Sequence, residues 1–449
     1  MNRAPLVRFV RAGLLLMGGA AFLSCAETSL PAGPADGINA AAGGKSAGGP
    51  SVTGADPAYG HEGDVSKTVT ITGSGFSPGA QAAWERNGVV DPKIQVLSTQ
   101  YVSSTQLVAT ITIASDASID LYDVSVTNAD RKKGIGYALF EVTQAIVVDG
   151  TTTLHGANDS GDMPGAGSGT ILFNPASGLQ LVDATGAGWA VDGTGTAVVG
   201  GAIARLWNKV GAVWQTTVLP TDPSATMGRA SVLSSDAVTG QVTLIGGLEV
   251  LSLPKHVTSQ EPRLWIWQAA TSDFGRILLP TGSTTRKGDV LGLSTNGVAV
   301  GWIGESVQAA VWESSGSGYT LTTLAPTGSR AMGINRAGTL IVGASGGVAT
   351  YWLRLSGGGW SAPIALPGGC TLAAAVDDVG RIAANSCPDG NRNSPAVFVP
   401  PYSASTMIRL GGLGATNSGW AAGMSPSGNY IVGQANVPGG TTGVYWRIF

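Results

Sequence analysis

The chain has 449 residues, of which 68 are glycine, 43% are hydrophobic and only 12% are charged. That apolar content excludes an intrinsically disordered chain, and the lack of a three-residue glycine period excludes a collagen-like one. A formal charge of −3 and three scattered histidines (His61, His155, His256) leave no footprint for a nucleic-acid partner and no multi-histidine metal site, so no cofactor or metal is expected. Glycine mixed with Val, Ile, Thr and Trp points instead to many short strands joined by tight turns.

The chain starts with Arg3, Arg8 and Arg11, then an apolar run from Ala12 to Leu23, then Ser24-Cys25. The run is shorter than the ~20 residues a membrane span needs and has the layout of a secretory signal. Its ending, "FLSC", resembles the bacterial lipoprotein signal, with Phe22 where leucine is usual. That resemblance implies lipidation of Cys25, and Ala26 after it implies retention at the outer membrane. A plain signal peptide with an incidental cysteine is the alternative. Residues 26–50, small and rich in Pro and Gly, read as a flexible tether.

Residues 51–144 form a separate β-rich segment. In "KTVTITGSGFSPGA" (67–80), Val69 and Ile71 alternate with Thr68 and Thr70 before turns at Gly73, Gly75 and Pro78-Gly79. Three more alternating runs follow, "TQLVATITIA", "YDVSVTN" and "YALFEVTQ". Short strands at this spacing predict an immunoglobulin-like sandwich with Phe76 and Trp84 in its packing. The combined pattern resembles the IPT/TIG family over the whole segment, which implies a spacer or binding module.

From residue 145 to 449 one pattern recurs about every 40–50 residues, the dimension of a four-stranded propeller blade. A polar turn ("NRAG", "STNG", "DDVG", "SPSG") leads into a short apolar run closed by Gly156, Gly200, Gly246, Gly301, Gly343, Asn385 and Gly433 in turn. A spacer follows, then a strand ending in an aromatic, then a strand often ending in "LP". Seven copies predict a seven-bladed β-propeller, with six or eight as alternatives. The last copy stops at "VYWRIF" and the first lacks a first strand unless "VTQAIVV" (142–148) serves, so one end is expected to complete the other. The repeated phrasing resembles bacterial extracellular HAF-type repeats. Trp207, Trp267, Trp312, Trp352 and Trp446 are read as packing between blades rather than as a sugar-stacking row.

Cys370 and Cys387 flank the "DDVG" turn. Centring that hairpin so that Val376 faces Arg381 puts the cysteines directly opposite, and a disulfide is expected, as an exported chain permits. No nucleophile elbow, zinc-protease helix or P-loop occurs. Asn158, Asp159 and Asp162 read as a solvated loop, with a calcium loop as the alternative, and Asp377-Asp378 as turn chemistry. The spacers between second and third strands vary most, and in a propeller they share a face. Lys255, His256, Asp389, Arg392 and Trp302 lie near them and, with Asn158, Asp159 and Asp162, are the candidate binding residues.

These readings converge on an all-β, non-enzymatic, lipid-anchored protein of the cell envelope that recognises a protein or glycan through one propeller face. A polysaccharide lyase or hydrolase, or a purely structural envelope component, are the alternatives.

Overall fold

The computed structural model describes residues 48–449 apart from 237–238, 254–256, 285, 317, 390–391, 415–418, 438–439 and 449. Cys25 and residues 26–47 of the tether, like Lys255 and His256, lie outside the described residues, as do the side chains of Asp389 and Arg392. The fold is all-β: among the described residues every regular element is a strand except the short turn of 3-10 helix Ala404–Thr406.

Residues 51–143 build two sheets on a shared core. One holds Ser51–Asp56, Lys67–Ser74, Gln106–Ile113 and Ile94–Ser103 in that order. The other holds Tyr59–His61, Lys133–Thr143, Asp120–Thr127, Gln81–Arg86 and Val89–Val90. Strict alternation in "QLVATITI" buries Leu107, Ala109, Ile111 and Ile113 and leaves the intervening residues half exposed. Trp84 is fully buried, edge-on to Phe140 at 5.6 Å, and Phe76 joins the same core.

Seven four-stranded antiparallel sheets follow, here called repeats 1–7. Repeats 2–6 each use four successive strands, starting at Gly188–Val191, Ala225–Ser235, Gly288–Leu293, Ser329–Ile334 and Leu372–Val376. Repeat 7 takes Gly419–Met424, Ile431–Val437 and Gly440–Trp446 from the end of the chain. Its fourth strand is Ile146–Val148, which precedes repeat 1. One end of the pattern thus completes the other. Repeat 1 departs from the sequence reading: "TTTL" (Thr151–Leu154) is its first strand, and "MPGAG" (Met163–Gly167) its second. The error was one strand, because "MPGAG" lacks the apolar run used for alignment.

The recurring glycine has a steric cause. In repeats 2–7 the first strand carries a β-bulge against the second, with Trp189, Ser231, Leu291, Met332, Ala374 and Ala422 as the extra residues. The bulge drives the first strand's backbone onto its neighbour. A Cβ at Gly200, Gly247, Gly301, Gly343 or Gly433 would lie 1.8–2.0 Å from a carbonyl oxygen of that strand. The glycines in contact are therefore Gly247 rather than Gly246, and Gly165 rather than Gly156 in repeat 1, where a Cβ would meet Thr153 O at 2.2 Å.

Repeat 6 has no glycine there; Ala384 stands opposite Ala373. Its second strand bulges as well, between Ala384 and Cys387, and the buried Asn385 amide bridges both backbone polar groups of Ala421 in repeat 7, at 2.7 and 2.8 Å. The disulfide Cys370–Cys387 closes the same region. Val376 faces Ile382, not Arg381, so the turn is one residue longer than expected. The bulge then restores the offset and the cysteines still meet.

Aromatics lock successive repeats together. Trp207, Trp265, Trp312, Trp352 and Trp446 are fully buried; Trp267 is not, so Trp265 fills that place in "RLWIW". Trp265 donates to Pro220 O at 2.7 Å, Trp312 to Pro280 O at 2.7 Å, and Trp352 to Leu324 O at 3.2 Å. Each acceptor lies at the end of the preceding repeat, which explains the recurring "LP".

Residues 49–449 cluster as one compact body. Glu141, fully buried at the end of the two-sheet segment, accepts from Gly412 N at 2.9 Å and Gly414 N at 2.8 Å in the loop leading into repeat 7. Tyr59 packs with Leu410 and Leu413 beside this clamp. The two-sheet segment is thus fixed to the repeats rather than hung from them.

Candidate functional site

The first strands of the repeats converge on a cavity with two chambers. Both are bounded by one residue from each repeat: Ala157, Val191, Leu233, Leu293, Ile334, Val376 and Met424. These side chains form an apolar collar. All seven lie two places past the bulge, or at its counterpart in repeat 1, so equal backbone geometry puts them at equal depth.

The larger chamber, about 490 Å³, opens among the connections between first and second strands. Its rim is polar, with Asp159, Thr194, Ser234, Ser235, Thr295, Arg336 and Asp378. The rim turns are tied to one another. Thr295 donates its N–H and hydroxyl to Arg336 O at 3.0 and 2.8 Å. Arg336 N donates to Asp378 Oδ1 at 3.1 Å, and its guanidinium pairs with the same carboxylate. Asp378 N reaches Pro426 O at 2.9 Å, and Ser427 N reaches Asp159 Oδ1 at 2.7 Å. Arg336 also lies 3.9 Å from Asp159, linking repeat 5 to repeat 1. The rim is therefore pre-organised.

The smaller chamber, about 280 Å³, lies on the other side of the collar and is lined by the bulge residues and His155. His155 hydrogen-bonds Gly188 O at 2.7 Å and stacks on Trp189 with ring centroids 4.1 Å apart. The Arg229 guanidinium covers the Trp189 ring at 4.6 Å and is paired with Asp289. Burial pulls the His155 pKa down to about 4; the bond to Gly188 O opposes this and the Arg229 charge assists it. Burial pushes Asp289 up to about 6, against the pull of Arg229.

The candidate residues fall into two groups. Asn158, Asp159 and Asp162 belong to the first-to-second connection of repeat 1, not to a second-to-third spacer, so they do not share an end with the others. Asp159 joins the rim. Asn158 and Asp162 serve the loop: the Asn158 amide donates to Asp162 at 2.9 Å and to Asp192 O at 2.9 Å, and Asn174 donates to Asp162 at 3.0 Å. Asp377, also buried, accepts from Arg381 N at 2.7 Å in its own turn, as expected.

Trp302 lies in the second strand of repeat 4 opposite Asp289, with the Arg330 guanidinium 5.9 Å over its ring. Asp389 and Arg392 face each other at the second-to-third hairpin of repeat 6. The spacer 246–262 is mostly strand rather than loop: Val242–Leu253 pairs with Val257–Gln268 over its length. It holds buried ion pairs, Arg263 with Glu249 at 2.6 Å and with Glu261.

Sequence reasoning missed the group His155, Trp189, Arg229, Asp289 and Arg330. Its signal was present: "GRASVL", "GDVLGL" and "SRAMGI" place one charge at the same point of otherwise apolar first strands.

No family model matches the chain, and no curated protein matches it. Among solved structures, a DUF4784 family protein from Bacteroides caccae is 12% identical over 85% of this chain and 90% of that one, with a TM-score of 0.23. A likeness this remote carries no argument about fold or function.

Proposed function

We propose that the chain is a lipid-anchored binding protein of the outer membrane. In this reading its HAF-like repeats close a seven-bladed β-propeller, and an IPT/TIG-like sandwich holds the propeller in one orientation. The partner, a protein or glycan of the cell envelope, enters the larger chamber, so the binding face is the first-to-second end rather than the hairpin end.

One observation carries this reading: a chamber of about 490 Å³ with a pre-organised polar rim over an apolar collar. Such a site suits a partner with a small apolar tip and polar shoulders. The completion of repeat 7 by Ile146–Val148 supports ring closure, and the Glu141 clamp supports rigid display. The reading is one of binding rather than catalysis, because the rim carboxylates Asp159 and Asp378 are held by backbone N–H groups and by Arg336.

The test is a plug. Ser235 lines the chamber and its hydroxyl makes no hydrogen bond among the described residues. Ser235→Trp should abolish capture of envelope glycans or proteins by the purified full-length chain while leaving its melting temperature within a few degrees. Unchanged capture by the plugged variant would overturn the assignment of this face.

A further inference from the structure

The smaller chamber is a second site, built for a different chemistry from the larger one. It holds about 280 Å³. The nearby Arg229 and Asp289 pair with each other, and neither lines it. Its polar lining side chains are His155, Trp189 and Ser231. His155 Nδ1 donates to Gly188 O at 2.7 Å, since a carbonyl can only accept, so Nε2 of the neutral ring is an acceptor. Nε2 has no hydrogen-bond partner among the described residues and keeps exposed surface. The Ser231 oxygen already accepts from Arg229 Nε at 2.8 Å, so what it has left to offer is its proton. The Trp189 indole N–H, a donor only, also has no partner among the described residues.

These three groups come from repeats 1 to 3, tied together by the stack of His155 on Trp189 and the Arg229 cation over the indole. The bulge residues that repeats 4 to 7 contribute are apolar: Leu291, Met332, Ala374 and Ala422. No lining side chain carries a charge at neutral pH, because burial pulls the His155 pKa down to about 4. An ionic ligand would thus be desolvated without a counter-charge. A sugar brings more hydroxyls than three polar side chains can satisfy. A single hydroxyl matches: it donates once, to His155, and its oxygen accepts from Ser231 or Trp189. The thioethers of Met332 and Met424 suit an aromatic ring. An apolar cavity of about 150 Å³ admits benzene, so this chamber has room for a ring with a small substituent.

We propose that the smaller chamber receives a neutral phenol, either a free small molecule or the tyrosine side chain of a partner. The phenol O–H donates to His155 Nε2, its oxygen accepts from Ser231, and the ring lies against Leu291 and Met332. No bond is made or broken.

The probe is p-cresol, titrated into the purified full-length chain by calorimetry, with toluene, p-methylanisole and p-toluate as comparisons. The phenol should bind, toluene and the methyl ether at least tenfold more weakly, and p-toluate should not compete at equal concentration. N-acetyltyrosinamide separates the two sources: comparable binding assigns the chamber to a partner's tyrosine, and binding of p-cresol alone assigns it to a free phenol. Ala422→Leu, which fills the chamber from a half-buried position, should lower affinity at least tenfold and leave the melting curve unchanged. In His155→Phe the advantage of p-cresol over toluene should disappear; if that variant does not fold, the ligand series and Ala422→Leu decide. Equal binding of phenol and methyl ether, full competition by p-toluate, or unchanged binding by Ala422→Leu would each overturn the proposal. Ser235→Trp, which fills the other chamber, should leave p-cresol binding intact, so failure at one chamber is distinguishable from failure at the other.

Discussion

Gly343→Ala isolates the cause of the repeated glycine. The new Cβ would lie 1.9 Å from Arg330 O, 2.9 Å from its carbon and 3.0 Å from Ala331 Cα, all backbone atoms that cannot rotate away. A comfortable carbon–oxygen contact is about 3.3 Å or more, so the strands must part by more than ~1 Å. Losing about two ladder hydrogen bonds and leaving one buried polar group unpaired amounts to roughly 3–4 kcal/mol. The stiffer unfolded chain offsets about 0.5–1 kcal/mol of this, leaving a net loss of about 3 kcal/mol. Over the residues from Gly49 to Phe449 the unfolding entropy near 60 °C is on the order of 0.8 kcal/mol per kelvin, so the melting temperature should fall by roughly 4 °C. Gly333→Ala is the control. It lies in the same first strand, yet its Cβ would meet nothing closer than 3.6 Å, and its φ is not positive. It should change stability by less than ~0.5 kcal/mol or raise it slightly. Urea unfolding followed by tryptophan fluorescence, with calorimetry beside it, measures both. Equal midpoints for the two variants would refute the bulge as the reason for the glycine, as would a loss under ~1 kcal/mol at Gly343.

Two further outcomes follow from buried polar groups. Glu141→Gln turns one acceptor towards Gly412 or Gly414 into a donor facing an N–H, so about 2–3 kcal/mol of the clamp should be lost. Limited proteolysis should then cleave near residues 143–146 faster than in the parent; equal rates would argue against the clamp. His155 has a pKa of about 4 in the folded chain against ~6.5 unfolded, so the unfolded chain takes up its proton first as pH falls. Its contribution is full above pH ~6.5 and is lost progressively down to about 4, on the order of 3 kcal/mol in all. Asp289, pushed up to about 6, works in the opposite sense: its contribution is full below ~3.9 and is lost as pH rises through about 6. The two oppose each other in the parent, and only the difference between parent and His155→Gln separates them. That difference, from urea unfolding at pH 4, 5, 6 and 7, should shrink towards acid; parallel curves would exclude a buried neutral histidine.

What could be read from the sequence was whatever depends on neighbours along the chain. Alternation in residues 67–144, the Asn- or Asp-to-Gly turns and the recurring apolar run each reflect local backbone chemistry, and each is found in the structure. The disulfide was legible too, although by two errors that cancelled: the turn at Asp377–Gly380 is one residue longer than expected, and the bulge beyond Ala373 takes that residue back. Contacts across long separations were not legible. Glu141 meets a loop 271 positions away, and its sequence surroundings are those of any strand end. The same holds for Asp159 and Ser427, brought together only when the last repeat lies beside the first.

The bulge explains both the visible and the invisible parts of the site. In repeats 2–5 and 7 it brings the first strand's carbonyl so close that only glycine fits opposite, whereas repeat 6 accommodates Ala384 with a second bulge, and that preference wrote the repeat into the sequence. In repeats 2–7 it also turns one extra residue of the first strand into the smaller chamber, and nothing in the bulge constrains which residue that is. Trp189, Ser231, Leu291, Met332, Ala374 and Ala422 therefore share a place and no chemistry. The recurring glycine and the free bulge residue are two sides of one backbone irregularity. Searching for recurrence finds the first and averages away the second, and the residues facing the cavity are of the second kind. The informative positions in such a chain are thus those just before and at the bulge, where a charge or an aromatic interrupts an otherwise apolar strand, as Arg229, Asp289, Arg330 and Trp189 do.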